Sequence, residues 1–166
     1  MVRAGLLIAL GIILGVAAGA AKWRGSAEYF HQEARLAAIL AKAQQVPPGG
    51  ILVIGDSVTE RVWMPMLCRK PVLNAGIAWA TSRDLLPYAR EMVRVARPSM
   101  VAIELPVNDR GRYSEERREL ARIATFTVAP PTSTVDGVHP DPRGATQFRQ
   151  EIEMGCRRAS SGVGRN

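Results

Sequence analysis

The hydrophobic pattern changes character several times along the chain. Positions 4–21 (AGLLIALGIILGVAAGAA) are 18 consecutive residues with no charge and no strongly polar side chain. Positions 26–45 (SAEYFHQEARLAAILAKAQQ) are Ala-rich and amphipathic, which predicts a helix. Pro47-Pro48-Gly49-Gly50 stops that helix and reads as a hinge. Short apolar runs then alternate with helical periodicity. The run at 51–54 predicts a buried strand ending at Gly55, 72–73 a second strand, 100–103 a third running on to Leu105, and 123–128 a fourth. Helices are predicted over 59–68, bent or shortened by Pro65, and over 82–96, with Leu85, Leu86, Ala89, Met92, Val93 and Ala96 on one face. Two more follow, an exposed one over 114–122 and a closing one over 144–156. Strand and helix alternate throughout, which implies a three-layer α/β/α sandwich around a parallel sheet. In such sheets, sites gather in loops beyond the carboxyl ends of the strands.

Size limits what this pattern can build. The chain has 166 residues, enough for one domain. With 47% hydrophobic and 22% charged residues it can form a core, and global disorder is excluded. The net charge of +7 comes mostly from Arg; Lys occurs only at Lys22, Lys42 and Lys70. Residues 83–122 mix 9 basic with 7 acidic groups, and aromatics are 5% of the chain. That is a solvated mixed-sign surface, not the one-face basic patch with stacking aromatics of a nucleic-acid binder. No nucleic-acid partner is expected.

The apolar run at 4–21 is expected to engage a membrane. An uncleaved transmembrane anchor is favoured, with Trp23 between Lys22 and Arg24 at the interface. A cleaved signal peptide, with Arg3 at its start and Ala18-Gly19-Ala20 at its end, is the alternative. Either reading puts the rest of the chain on the non-cytoplasmic side, tethered or secreted. Cys68 and Cys156 are the only cysteines, and they read as a disulfide or as buried free thiols. With His31 and His139 the only histidines, no metal constellation is formed, and no cofactor is expected. The expected organisation is an anchor or signal segment over 1–24, a helical linker over 25–48, the α/β domain over 49–158 and a disordered tail over 159–166.

Four loops at the predicted strand ends carry candidate chemistry. Ser57 lies on a strand-to-helix turn, where free N–H groups favour developing negative charge. Ser57-Val58-Thr59-Glu60 is equally a capping box. His139 suits a general base, with Asp136 three residues earlier to orient it, although an exposed turn histidine fits the same loop. Gly76 and Asn108 are candidate oxyanion donors, or a turn glycine and an Asn-Asp turn. Neither a Gly-x-Ser-x-Gly elbow nor a nucleotide-binding glycine run occurs.

The blocks Gly55-Asp56-Ser57, Asn74-Ala75-Gly76, Asn108-Asp109 and Asp136-Gly137-Val138-His139 together resemble the SGNH (GDSL-type) hydrolases over about residues 50 to 155. The resemblance implies a flavodoxin-like α/β/α fold and an esterase using a Ser-His-Asp site. It makes Ser57 the nucleophile and first oxyanion donor, Gly76 and Asn108 the other donors, His139 the base and Asp136 its orienter. It implies a small acylated substrate, an ester of a lipid or carbohydrate. The chain departs from the family in two places. Pro106 stands where a glycine is usual, and only 26 residues separate Asp109 from Asp136. The short segment predicts an uncovered sheet edge or apolar face, and it motivates the alternative of a non-catalytic relative that binds a ligand or partner near the membrane. Glu104 falls inside a predicted buried strand.

Overall fold

The computed structural model describes residues 26–110 and 114–162. The expected anchor or signal segment at 4–21 lies outside the described residues. Among those described, no helix is long and apolar enough to cross a membrane. The first element is helix α1 (26–43). It is followed by β1 (Ile51–Gly55), α2 (Ser57–Glu60), β2 (Met66–Leu67), β3 (Lys70–Gly76), α3 (Ser82–Ala96) and β4 (Met100–Glu104). A 3-10 turn at Val107–Asp109, α4 (Glu115–Ile123), β5 (Phe126–Val128) and α5 (Pro142–Ser160) complete the order.

The five strands form one sheet in the order β2-β3-β1-β4-β5. β3, β1, β4 and β5 are parallel, and β2 joins antiparallel at one edge. The expected α/β fold class is therefore the observed one. The chain leaves β1 toward β3 on one side and returns to β4 on the other. That reversal puts a crevice at the carboxyl end of β1, where Ser57 stands.

β1 is buried along its whole length because both faces are covered. On one face Leu52, Ile54, Leu73 and Ile103 pack with Ile39 of α1, Leu85, Ala89 and Met92 of α3 and Leu120 of α4. On the other, Ile51, Val53 and Ala102 pack with Val58, Val62, Met64 and with Phe148, Ile152 and Cys156 of α5. Full burial of such an aliphatic or aromatic side chain contributes about 1.5–3 kcal/mol.

Four expectations are corrected by this arrangement. The helix expected over 59–68 ends at Glu60, and the chain runs on into the edge strand β2. The Asn74 amide takes the Thr59 and Val62 carbonyls at 2.9 and 3.0 Å, replacing helical donors, and Pro65 has no N–H to continue the ladder. The helical linker over 25–48 is instead part of the domain. Ile39 and Ala43 of α1 are buried, and Arg35 reaches the Gly76 and Asn74 carbonyls at 3.0 and 3.3 Å. The Pro-Pro-Gly-Gly segment is pinned, not hinged: Gly49 N–H bonds the Arg97 carbonyl, and Gly50 C=O accepts the Ser99 N–H. The first residues of the expected tail continue α5 to Ser160, and 163–166 lie outside the described residues.

The short 110–135 segment still completes the sheet. β5 is a three-residue edge strand, and Phe126 packs with the α5 cluster. At the opposite edge β2 has two residues. Edges this short offer little template for pairing with another chain.

Candidate active site

Asp56 organises the turn that follows β1. It is fully buried and N-caps α2, accepting the Val58 N–H at 2.9 Å through Oδ1. Its Oδ2 accepts the Val107 N–H at 2.8 Å and an Asn108 Nδ2 hydrogen at 3.1 Å. Burial pushes the Asp56 carboxyl up from its ordinary range, against the pull of those hydrogen bonds. Ser57 occupies the first position of α2, where its N–H has no intrahelical acceptor. Its capping function is therefore carried by Asp56 and not by Ser57 itself.

The second half of the site is the loop from β5 to α5. Gly137 adopts φ +86, a left-handed conformation that a side chain rarely takes. A bridge between Thr134 and Pro140 closes the loop, and the Val135 N–H donates to the His139 carbonyl at 2.9 Å. Asp136 Oδ1 accepts the Val138 and His139 N–H groups at 3.0 and 2.7 Å. Its Oδ2 meets His139 Nδ1 at 2.5 Å. The imidazole bond and the two backbone bonds hold the Asp136 carboxyl well below the usual carboxylate range. His139 Nε2 lies 3.1 Å from Ser57 Oγ, 82 residues away in sequence. Ser57, His139 and Asp136 are thus brought into one hydrogen-bonded line.

The two other expected donors lie nearby but are engaged. The Gly76 N–H donates to Asn74 Oδ1 at 2.9 Å. Both Asn108 Nδ2 hydrogens are used, by Asp56 Oδ2 and by the Ala80 carbonyl at 3.1 Å each. The oxyanion hole expected from Gly76 and Asn108 is therefore not preformed. Glycine is required at 76 for another reason: a Cβ there would lie 2.2 Å from the Glu60 nitrogen. Pro106 does not disturb Asn108. Its φ of −52 suits a proline, and its carbonyl accepts Arg117 Nη1 at 3.0 Å.

Several supporting residues were invisible to sequence pattern. Asp109 bonds the Ser82 N–H and hydroxyl at 2.9 and 2.6 Å and Arg117 at 2.8 Å, locking the Asn108 turn onto α3 and α4. Glu60 accepts the Ala78 N–H at 2.6 Å and contacts His31 at 3.0 Å, joining α1 to the loop after β3. Beside Asn108, a cavity of about 590 Å³ is lined by Trp79, Thr81, Arg83, Asp109 and Arg110 among others.

Helices pack on both faces of the mostly parallel sheet, which makes a three-layer α/β fold. Two solved structures share it. One, described as a candidate acylhydrolase from Bacteroides fragilis, matches with a TM-score of 0.55 and 18% identity, over 72% of this chain and 94% of that one. The other, described as a candidate platelet activating factor from Streptococcus pneumonia, matches with a TM-score of 0.52 and 17% identity, over 84% and 76%. No protein-family description and no curated protein matches the chain. At these identities the likeness establishes the fold alone.

Proposed function

We propose that this protein is a serine acyl hydrolase of the SGNH type, cleaving esters with Ser57 as nucleophile. The observation that carries this reading is His139 bridging Ser57 Oγ at 3.1 Å and Asp136 at 2.5 Å. In the reaction His139 Nε2 takes the Ser57 proton as Oγ attacks the ester carbonyl. It then delivers that proton to the leaving alcohol, giving an acyl-serine. Water, deprotonated by the same imidazole, attacks the acyl-serine; the Oγ–acyl bond breaks, the imidazolium returns its proton to Ser57 Oγ, and the acid leaves. Asp136 stays ionised and orients the ring. The Ser57 N–H at the start of α2 faces the developing oxyanion. Gly76 and Asn108 join it only if substrate displaces Asn74 Oδ1, Asp56 or the Ala80 carbonyl from their amides.

The substrate class is an ester of a lipid or carbohydrate, reached from the non-cytoplasmic side of a membrane by a tethered or secreted domain. The paired Cys68 and Cys156 support that side, since disulfides persist in oxidising compartments. The test is hydrolysis of a short-chain activated ester by wild type and Ser57→Ala. A loss of at least about 10³-fold in kcat is expected; equal rates would end this reading. The second reading, a non-catalytic relative that binds an acylated ligand or a protein partner, is favoured by one observation. Both outer oxyanion donors are satisfied within the protein. Binding of the ester without turnover would support it.

A further inference from the structure

Glu104 ends β4 with 0% exposure, directly under the Ser57 turn. Its Oε2 accepts the Asp56 N–H at 3.3 Å and lies 3.4 Å from the Thr59 hydroxyl. Its Oε1 is buried and has no hydrogen-bond partner among the described residues. Gly55 makes the room, because a Cβ there would lie 2.6 Å from Oε2. The groups that face Glu104 come from four elements. The turn after β1 contributes Asp56, α2 the neutral Thr59, and α4 Arg117; β5 pairs with it through Val128. Arg117 Nη1 is already bonded to Asp109 and to the Pro106 carbonyl. A buried carboxylate with an unpaired oxygen and no cation of its own carries a large desolvation cost, and the neutral acid a much smaller one. Asp56, with three donors on its oxygens, is the member of the pair equipped to hold charge.

We propose that Glu104 is a positioning residue that holds the nucleophile turn only as the protonated acid, so that loss of its proton disables the site in alkali. Burial, and then the charge of Asp56, push the Glu104 carboxyl up to about 8. Above that pH a second buried anion forms beside Asp56. Repulsion acts on the residue that ties Val58 to Val107 and Asn108, so the Ser57 and Asn108 turns lose their common anchor. The consequence for reactivity rests on Ser57 being the nucleophile; the titration of the turn does not.

The experiment uses the full chain as wild type and Glu104→Gln, from about pH 6 to about pH 10, a range that brackets this ionisation. Asn108 side-chain amide resonances and the rate of phosphonate labelling at Ser57 are followed together. In the wild type the amide resonances shift through about pH 8. Labelling slows by about tenfold per pH unit above that point, as the neutral acid is depleted. In Glu104→Gln the resonances stay flat, and labelling keeps its neutral-pH rate into alkali. The same alkaline loss in the glutamine variant, or an Asn108 signal that does not titrate in the wild type, overturns the proposal. If the variant does not fold, the infrared band of a protonated carboxylic acid in the wild type decides. Its presence at neutral pH with loss in alkali supports the proposal, and its absence at neutral pH overturns it. If Ser57 is never labelled while Asn108 titrates as described, the hold of Glu104 on the turn stands and the esterase reading fails.

Discussion

The two halves of the candidate site are held in opposite ways. Ser57 sits on a buried turn fixed by tertiary bonds. Asp56 ties it to a segment 51 residues away, and Glu104 supports it from β4. The Asp136–His139 loop is largely exposed and held by short-range bonds within residues 133–141, none of them joining residues more than eight positions apart. Its footing is the start of α5, where Asp141 caps the helix and accepts the Ser133 hydroxyl at 2.7 Å. One half therefore depends on the core for its geometry, and the other on local turn chemistry. Mutations in the first should cost stability and activity together. Mutations in the second should cost activity with little loss of stability.

The Cys68–Cys156 bond links these halves, because it fastens α5 to the turn beside β2 across 88 residues. Replacing both cysteines with alanine should remove about 4–5 kcal/mol of stability by the chain-entropy estimate; urea denaturation measures it. His139→Ala should lower kcat by at least about 10³-fold while the thermal midpoint stays close to wild type. A variant that kept its rate would make His139 a turn residue only. Asp56→Ala removes the acceptor of one buried and two part-buried donors, so a loss of about 3 kcal/mol is expected in the same urea assay. Ionisation of Glu104 gives the core half a pH signature. Its folded pKa is raised, so the stability it contributes is complete below the ordinary value of 4.5 and is lost as pH rises to about 8. Denaturation midpoints should fall across that window in the wild type, and the fall should shrink in Glu104→Gln. The smallest effect belongs to the loop. Ser133→Ala removes one part-buried hydrogen bond, worth about 1 kcal/mol, and should slow catalysis only slightly.

The same division explains what was legible in the sequence. β1 and the first four residues of β4 are uninterrupted apolar runs, and α3 carries its apolar face at helical spacing, so local pattern located them. Ser57, Asp136 and His139 stood out because each follows a strand end or precedes the last helix. Three features needed tertiary contacts. The helix misread over 59–68 is stopped by Asn74, a residue of a different strand. The apolar face of α1 looked like a linker until the sheet that it covers was known. Gly76 and Asn108 have the residue types of oxyanion donors, but where their N–H groups point is set by Asn74, Asp56 and Ala80. Asp56 and Glu104 are single carboxyl groups in the sequence, and only burial makes them a pair.

The most direct test of the account is covalent. A serine-reactive phosphonate is incubated with the folded wild type, Ser57→Ala and His139→Ala, and the modified residue is found by peptide mass spectrometry. The account predicts stoichiometric modification at Ser57, none in Ser57→Ala, and a rate lowered by about 10³-fold in His139→Ala. An unmodified Ser57 in demonstrably folded wild type, or equal labelling with and without His139, would contradict it.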